Sequence, residues 1–383
     1  MHYFDHCASS PPREEVIQTM TDVMRKTYAN PSSLHAAGVE AAKLIERSRT
    51  LVAAQTGASN GNWIFTSGGT ESNNLALKGA ARSYRSRGNH IVTTSIEHPS
   101  VTEPLKQLES EGFQITYLPV EPTGHVSPDA VKQAITDKTI LVSVMHVNNE
   151  IGTLQPVEEI ARLLKSYPKI LLHVDAVQSL GKLPIPLEEW GVDLLSGSAH
   201  KLRGPRGVGY LYVRKGVALQ PQISGGAHEL GTRAGTENVP GIVASAKALR
   251  LACEGMAERS AVFGRLSAKL REEIASIPEL KLTGGAPYAP HIVHFTYPGM
   301  KPEVIVHMLE QRGIIASTRS ACSSKSDKPS RVLQAIGASH AEASGGIRIS
   351  FGDEHREEDI DMLSGALRSI VTQLKPLERS RQH

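Results

Sequence analysis

Short apolar runs rich in β-branched residues alternate with amphipathic stretches from residue 62 to residue 214. The apolar runs predict strands, and the amphipathic stretches predict helices. Several runs are apolar at nearly every position, as in 140–145, which is typical of strands that are covered on both faces. The alternation predicts an α/β fold with a mostly parallel, seven-stranded sheet. The predicted strands are 63–67, 90–95, 114–120, 140–147, 170–177, 194–198 and 207–213, and the predicted helices are 71–87, 100–111, 129–136 and 156–166.

The pattern changes after about Pro240, and the elements predicted beyond it indicate a second, smaller α+β domain. These elements are a long helix over 240–277 that joins the domains, strands 291–296 and 347–351, and helices 302–312 and 357–374. We therefore expect a large domain over 15–250 and a small domain formed by 1–14 and 251–383. The small polar stretch 323–329 predicts a mobile surface loop, and 378–383 predict a frayed tail.

Composition excludes several classes of protein. A chain of 383 residues favours two domains, and 40% apolar with 21% charged residues is ordinary for a globular protein. The net charge of +3 gives no field that favours direct binding of nucleic acid or anionic lipid. No apolar stretch reaches the roughly 18 residues of a membrane span, and the first residues lack an export signal. Three cysteines far apart in sequence argue against a disulfide scaffold. We therefore expect a cytoplasmic protein with no membrane association.

Polar clusters follow several predicted strands, and in a parallel sheet ligands bind beyond the carboxyl ends of the strands. The first cluster, 66–72, runs from a strand through Gly68 and Gly69 into a helix. Glycines let the backbone approach an anion, and a helix N-terminus presents amide groups to it. Thr70 can add a hydroxyl donor. The alternative is a plain strand–helix turn with Thr70 as the N-cap.

Two further clusters carry charged groups. Asp175 ends an apolar strand and needs a cationic partner such as a pyridinium nitrogen, and Gln178 can donate to a phenolate oxygen of the same ring. The alternative is an N-cap or a buried ion pair. Lys201 follows the next strand, where burial favours the neutral amine that forms a Schiff base, and Ser198 and His200 can contact a phosphate. The alternative for Lys201 is an ordinary solvated lysine.

A histidine and a cysteine complete the candidates. His98 can stack on a cofactor ring and move protons near neutral pH, although a lone histidine is more often structural. Cys322 lies among small polar residues before the predicted loop, and Arg319 near it favours the thiolate. The alternative is an exposed thiol without a role. No single candidate decides the function, but their order along the chain does.

Six motifs occur in one order. They are SGGTESNN at 67–74, EHP at 97–99, NNEIG at 148–152, DAVQ at 175–178, HK at 200–201 and GTEN at 235–238. Through them the chain closely resembles the cysteine desulfurases, the NifS/IscS-like group of class V aminotransferases, from Tyr3 to about Leu374. SACSS at 320–324 resembles the subgroup with a long loop that carries the catalytic cysteine.

The resemblance implies the fold type I architecture of enzymes that use pyridoxal 5′-phosphate (PLP), as a homodimer with active sites at the subunit interface. It implies that Lys201 binds PLP covalently, that Asp175 pairs with the ring nitrogen, and that Gln178 donates to the ring oxygen. His98 would stack on the ring and act as an acid and base. The implied phosphate ligands are Gly69, Thr70, Ser198 and His200, joined by Thr236 of the partner subunit. Arg348 would bind the substrate carboxylate through two parallel hydrogen bonds, and Asn149 would contact substrate or cofactor.

The implied reaction converts L-cysteine to L-alanine and leaves the sulfur on Cys322 as a persulfide for an acceptor protein. That acceptor is an iron–sulfur scaffold or a tRNA-thiolation enzyme, and no motif chooses between them. A selenocysteine lyase or a small-amino-acid aminotransferase of the same fold remains an alternative. A non-catalytic sulfur-relay or scaffold protein is the alternative from another class. No metal site is expected.

The chain departs from the family's usual pattern at several positions. His6 and Cys7 stand where the family has Asn or Tyr and then Ala. We interpret Cys7 as a small-residue substitution in preference to a second sulfur carrier. His228 and Thr232 replace the Gln and Arg of many relatives, which puts a phosphate or interface contact there in doubt. Arg319 replaces a frequent Gly and can change the reactivity of the nearby thiol.

Overall fold

The computed structural model describes residues 1–318 and 329–379, with side chains up to residue 376. Arg319, Cys322, most of the predicted loop and the last four residues lie outside the described residues. The strands are β1 His2–Tyr3, β2 Gly61–Thr66, β3 His90–Thr94, β4 Gln114–Leu118, β5 Thr139–Met145, β6 Leu171–Asp175, β7 Leu194–Ser198, β8 Gly209–Arg214, β9 Lys281–Leu282, β10 Ile292–Thr296, β11 Ile314–Ile315 and β12 Gly346–Ser350.

The helices surround these strands. They are α1 Glu14–Lys26, α2 Ala36–Thr56, α3 Gly69–Ser83, α4 Pro99–Ser110, α5 Pro128–Ala134, α6 Val157–Leu164, α7 Leu187–Trp190, α8 Val239–Glu254, α9 Met256–Ala275, α10 Pro302–Glu310, α11 Arg331–Ala335, α12 His340–Ser344 and α13 Glu357–Arg379. Two short 3₁₀ turns span Ala199–Lys201 and Glu229–Gly231. Within the described ranges, no helix is long and apolar enough to span a bilayer.

The seven predicted strands form one sheet, in the order β2-β8-β7-β6-β5-β3-β4. Strand β8 is antiparallel to both of its neighbours, and the other pairings are parallel. Alternate positions of each strand enter two apolar cores on opposite faces, as Leu172 and Val174 do on one face and Leu171 on the other. This two-sided burial explains the continuous apolar runs in the sequence. The mostly parallel, seven-stranded α/β fold is therefore confirmed.

The long helix predicted over 240–277 is wrong as a single element. Helices α8 and α9 meet at Gly255, which has φ −106° and ψ 15° and is not helical. The Arg259 side chain binds the carbonyl oxygen of Ala252 at this break, so the exposed end of α8 is capped. Helix α8 packs on α1 and α2, whereas α9 packs on α13 and β10. Because of the break, the two consecutive helices pack against different apolar cores.

Another apolar core, separate from the two on the large sheet, surrounds the three-stranded sheet β12-β10-β9. Helices α9, α10 and α13 cover it, and Phe4 from the start of the chain is fully buried in it. Strand β1 pairs in parallel with β11, which brings residues 2–10 across the edge of this core. The N-terminal segment is thereby carried to the carboxyl end of the large sheet, where the site lies.

Candidate active site

The carboxyl ends of β2, β3, β5, β6 and β7 meet around a cavity of about 270 Å³. All the residues predicted for the site line this cavity, except Thr236 and Cys322. The lining residues are Cys7, Ala8, Gly69, Thr70, His98, Ser100, Met145, Val147, Asn149, Asp175, Val177, Gln178, Ser198, His200, Lys201 and Arg348. Segments far apart in sequence therefore form one pocket, at the position expected for a ligand of a parallel sheet.

Lys201 lies in the 3₁₀ turn directly after β7. Its Nζ donates to the main-chain carbonyl oxygens of Cys7 and Ala8, the second over 2.8 Å. In the described part of the chain, no carboxylate oxygen lies within ion-pair distance of Nζ. Burial lowers the pKa of the Lys201 ammonium to about 8. The amine is therefore partly neutral near pH 8, as a nucleophile or a base must be.

Asp175 is the last residue of β6 and is 5% exposed. Its Oδ1 accepts from the Val177 amide over 3.0 Å, and its Oδ2 accepts from Nδ2 of Asn73 over 2.8 Å. These donors stabilise the ionised carboxylate and fix its orientation at the cavity wall.

Asn73 also connects this carboxylate to His98. The second N–H of its Nδ2 donates to Oγ of Ser100 over 2.8 Å, and Ser100 Oγ lies 2.7 Å from Nδ1 of His98. The Ser100 amide donates to the same Nδ1 over 3.1 Å. Because Nδ1 accepts, the neutral imidazole carries its proton on Nε2. Burial lowers the pKa of His98, and the charge of Asp175 partly offsets that effect.

The part of the cavity around Gly69 suits an anion. Helix α3 begins at Gly69, so its first amides face this end without intrahelical partners. A Cβ on Gly69 would lie 2.6 Å from Cγ2 of Val177, so only glycine fits this close approach. Oγ of Ser198 is buried and has no hydrogen-bond partner among the described residues. Burial lowers the pKa of His200 to about 4, so its imidazole is neutral and can donate one hydrogen bond.

Arg348 approaches the cavity from β12 and is 1% exposed. Its Nη1 donates to the carbonyl oxygen of Asn149 over 2.8 Å, and its Nη2 donates to Oδ1 of Asp5 over 2.9 Å. Its Nε has no partner within the described ranges. The guanidinium is thus held firmly and still has N–H groups for a carboxylate.

Three residues of the site were not predicted from the sequence. Asn73 lies inside the SGGTESNN motif, and Ser100 directly follows the EHP motif. Their polar side chains, so close in sequence to predicted site residues, were the available signal. Asp5 is the ion-pair partner of Arg348 at a sequence distance of 343 residues, and no local pattern indicates that pairing.

Four other predicted positions lie away from the cavity or outside the described residues. Thr236 is exposed in the segment before α8. His228 accepts through Nδ1 from the Gly235 amide over 3.2 Å, and neither it nor Thr232 lines the cavity. Cys322 lies outside the described residues.

Cys7 is 1% exposed and packs against Val147, Ala289 and Ile292. Its carbonyl oxygen accepts from Lys201 and, over 3.0 Å, from Nε2 of Gln178. The backbone of Cys7 therefore contributes directly to the site, whereas its side chain packs with apolar neighbours.

The residues present fit PLP. Ser198 Oγ is buried without a partner among the described residues, and such a group has a free-energy cost unless a ligand binds it. Nε2 of Gln178 uses one N–H on the Cys7 carbonyl and has a second one for the ring oxygen. The amides at Gly69 suit a phosphate, Asp175 suits a protonated ring nitrogen, and Lys201 suits a covalent bond to the cofactor.

The sequence and the fold are both similar to those of known proteins. The model of the class-V aminotransferases matches residues 2–363. The cysteine desulfurase IscS of Clostridium botulinum strain Hall is 43% identical, over 98% of this chain and 95% of its own length. Its counterpart in Methanosarcina thermophila is 42% identical, over 97% of this chain and 92% of its own length. A solved NifS-like protein superposes with a TM-score of 0.91 at 37% identity, covering 97% of this chain and 100% of the other. The chain therefore belongs to the class-V aminotransferase family and, within it, to the PLP-dependent cysteine desulfurases.

Proposed function

We propose that this chain removes sulfur from L-cysteine, releases L-alanine, and holds the sulfur on Cys322 as a persulfide. The observation that carries the proposal is the position of Lys201, which is buried without a carboxylate partner among the described residues, in the cavity that also holds Asp175 and Arg348. A lysine that only stabilised the fold would be expected to pair with a carboxylate there.

When bound, PLP supplies an electron-poor ring that stabilises the negative charge left at the substrate Cα. Lys201 would hold the cofactor covalently and, once freed, would take the Cα proton on Nζ. Its lowered pKa of about 8 suits this role, because the neutral amine is available near physiological pH.

Asp175 would pair with the ring nitrogen, and the Val177 and Asn73 donors hold that carboxylate in its orientation. His98 would present Nε2–H to the substrate, because Ser100 occupies its Nδ1. That proton can be given to a leaving or developing anionic group and then recovered.

Arg348 and Asn149 would bind the substrate carboxylate. The guanidinium is already fixed by Asp5 and by the Asn149 carbonyl, so substrate binding costs little further ordering of that side chain.

Sulfur transfer would use Cys322. Its thiolate attacks the substrate sulfur, the bond between Cβ and sulfur breaks, and a proton added to the carbon completes alanine. The described cysteines suit this task poorly, because Cys7 is almost fully buried and burial raises the pKa of the Cys253 thiol.

A homodimer would account for several exposed apolar side chains within residues 17–34. They are Ile17, Met24, Tyr28 and Leu34, and Tyr28 is 88% and Leu34 98% exposed. Large apolar side chains exposed over one short segment favour an interface. A homodimer would also let Thr236 of the partner subunit reach the phosphate end of the cavity.

Subunit mixing tests this arrangement. Lys201→Ala and Thr236→Val homodimers would both be impaired, but their mixed dimer would contain one site with both native residues. Recovery of activity on mixing supports the shared site, and no recovery contradicts it.

We also propose the domain division at 15–250, with 1–14 and 251–383 as the small domain that carries the Cys322 loop. The separate cores around the two sheets support it. A cytoplasmic enzyme that passes sulfur to an iron–sulfur scaffold or a tRNA-thiolation enzyme completes the proposal, and the family membership supports it.

Product analysis tests the reaction. With L-cysteine, the purified holoenzyme should release alanine and no pyruvate, and Cys322→Ser should stop turnover while keeping the absorbance of bound PLP. 3-Mercaptopyruvate with conversion of the cofactor to its amine form would instead indicate an aminotransferase, and pyruvate with free sulfide and ammonia would indicate β-elimination.

A further inference from the structure

His6, Glu354 and His355 form a cluster behind the active site, outside the residues that line its cavity. One potential ligand atom from each residue lies within 4.8 Å of the other two. Nε2 of His6 is 2.7 Å from Oε1 of Glu354. Both histidines are buried, whereas the Glu354 side chain is 47% exposed, so the cluster has a path to solvent.

Both imidazole rings are held in place by their surroundings. Nδ1 of His6 lies 3.3 Å from Oγ of Ser10. His355 stacks on Phe4, with ring centroids 4.2 Å apart. Its Nδ1 accepts from the Gly352 amide over 2.8 Å and lies 3.2 Å from the Gly352 carbonyl oxygen. Metal binding at Nε2 therefore requires the tautomer that carries its proton on Nδ1, in which Nδ1 donates to that carbonyl oxygen and gives up the bond from the amide.

One nitrogen of the cluster is unsatisfied. Nε2 of His355 is buried and has no hydrogen-bond partner in the described part of the chain, although the residue is only 2% exposed. A hydrogen bond between His6 and Glu354 explains the short distance between those two residues, but it leaves this nitrogen unpaired. A bound ion would satisfy all three side chains.

We propose that His6, Glu354 and His355 bind a divalent transition-metal ion of the Zn²⁺ type. Two imidazoles and one carboxylate are a set that Zn²⁺ takes in proteins, with water in the fourth position. Ligand atoms of tetrahedral Zn²⁺ lie about 3.3 Å apart. Binding therefore requires His6 and Glu354 to separate by roughly 0.6 Å relative to their hydrogen bond.

The surrounding charges permit a cation. Nη1 of Arg203 is 4.0 Å from Oε2 of Glu354 but only 3.2 Å from Oδ2 of Asp353, which also binds Arg13 over 2.6 Å. Asp353 thus holds both guanidinium groups and leaves the Glu354 carboxylate available. The ion would link His6 in the N-terminal segment to Glu354 and His355 in the turn after β12. His6 is one residue before Cys7, whose carbonyl oxygen accepts from Lys201.

Zinc titration of the holoenzyme tests the site. Calorimetry on the Cys322→Ser variant, which lacks one competing thiol, should show one ion per chain, and Co²⁺ should give the visible absorption of a low-coordinate site. His6→Asn, Glu354→Gln and His355→Asn should each weaken binding by at least about tenfold. His6→Asn introduces a residue usual in the family, so this variant is expected to fold.

His307→Asn is the matched control, because His307 and Glu310 form an exposed pair 3.4 Å apart that is not part of the cluster. It should bind zinc like the parent. Absence of binding in the parent, or equal binding in the parent, His6→Asn and His355→Asn, would overturn the proposal.

Discussion

Asn73 donates a hydrogen bond from Nδ2 to Oδ2 of Asp175 over 2.8 Å, and both side chains are buried. The same amide nitrogen donates to Ser100, whose hydroxyl contacts His98. The carboxylate proposed for the ring nitrogen and the imidazole proposed as acid and base are therefore joined by one asparagine. A change in this asparagine affects both groups at once.

Replacing Asn73 with Ala should weaken PLP binding by about tenfold or more, because a hydrogen bond to a buried charged group contributes about 1.5–3 kcal/mol. Equilibrium titration of the apoenzyme with PLP measures the change. Asn74→Ala is the control, since the one hydrogen-bond partner of the Asn74 side chain among the described residues is the carbonyl oxygen of Thr70 in its own helix. Equal losses in the two variants would contradict the role of Asn73.

Replacing Ser100 with Ala should raise the pKa of His98. The serine hydroxyl donates to Nδ1 of the neutral imidazole, and loss of a donor to the neutral form favours protonation. If His98 acts in its neutral form, the acidic limb of the profile of kcat/KM against pH should move to higher pH. The backbone amide still donates to Nδ1, so the fall in kcat should remain within about tenfold. An unmoved acidic limb would count against this assignment.

Lys201 in the apoenzyme should react with an acylating reagent at lower pH than an exposed lysine. Burial lowers its pKa to about 8, so its neutral, reactive fraction should rise through pH 8 and level off above it. Lys132 is exposed and serves as the internal control, and the side chain of an ordinary lysine has a pKa of about 10.4. Mass spectrometry of the two peptides across pH gives both curves. Coincident curves would show that the site does not depress the pKa of Lys201.

Gly69→Ala should weaken PLP binding and lower the free energy of unfolding by about 1–3 kcal/mol, because its Cβ would lie 2.6 Å from Val177. Gly68→Ala is a close control, since a Cβ there has no neighbour within 4 Å. Thermal unfolding and PLP titration of both variants separate steric conflict at Gly69 from a general need for glycine. Similar behaviour of the two variants would refute the close-approach argument.

The strands could be predicted from sequence because burial on both faces leaves an unbroken apolar run, as in β5. Helix α2 could not, because its buried face contains small and polar residues such as Ala41 and Ser48, which give little contrast with its exposed face. The break at Gly255 was also missed, since glycine alone does not show that the two halves pack on different cores.

Some contacts of the site could likewise be predicted from the sequence and others could not. Asp175, Lys201 and Gly69 lie at or just after the ends of strands, and parallel topology alone predicts that they meet. The Asp5–Arg348 ion pair and the Asn73–Asp175 hydrogen bond depend on how distant segments pack. Their geometry required the structure.

The role of Cys322 is tested most directly by a single turnover with L-cysteine, followed by mass spectrometry of all three cysteine peptides and quantification of alanine. One alanine should form per active site, and one added sulfur atom should appear on the Cys322 peptide, with Cys7 and Cys253 unmodified. Alanine formation with the sulfur on Cys7, or turnover that survives in Cys322→Ser, would contradict this role.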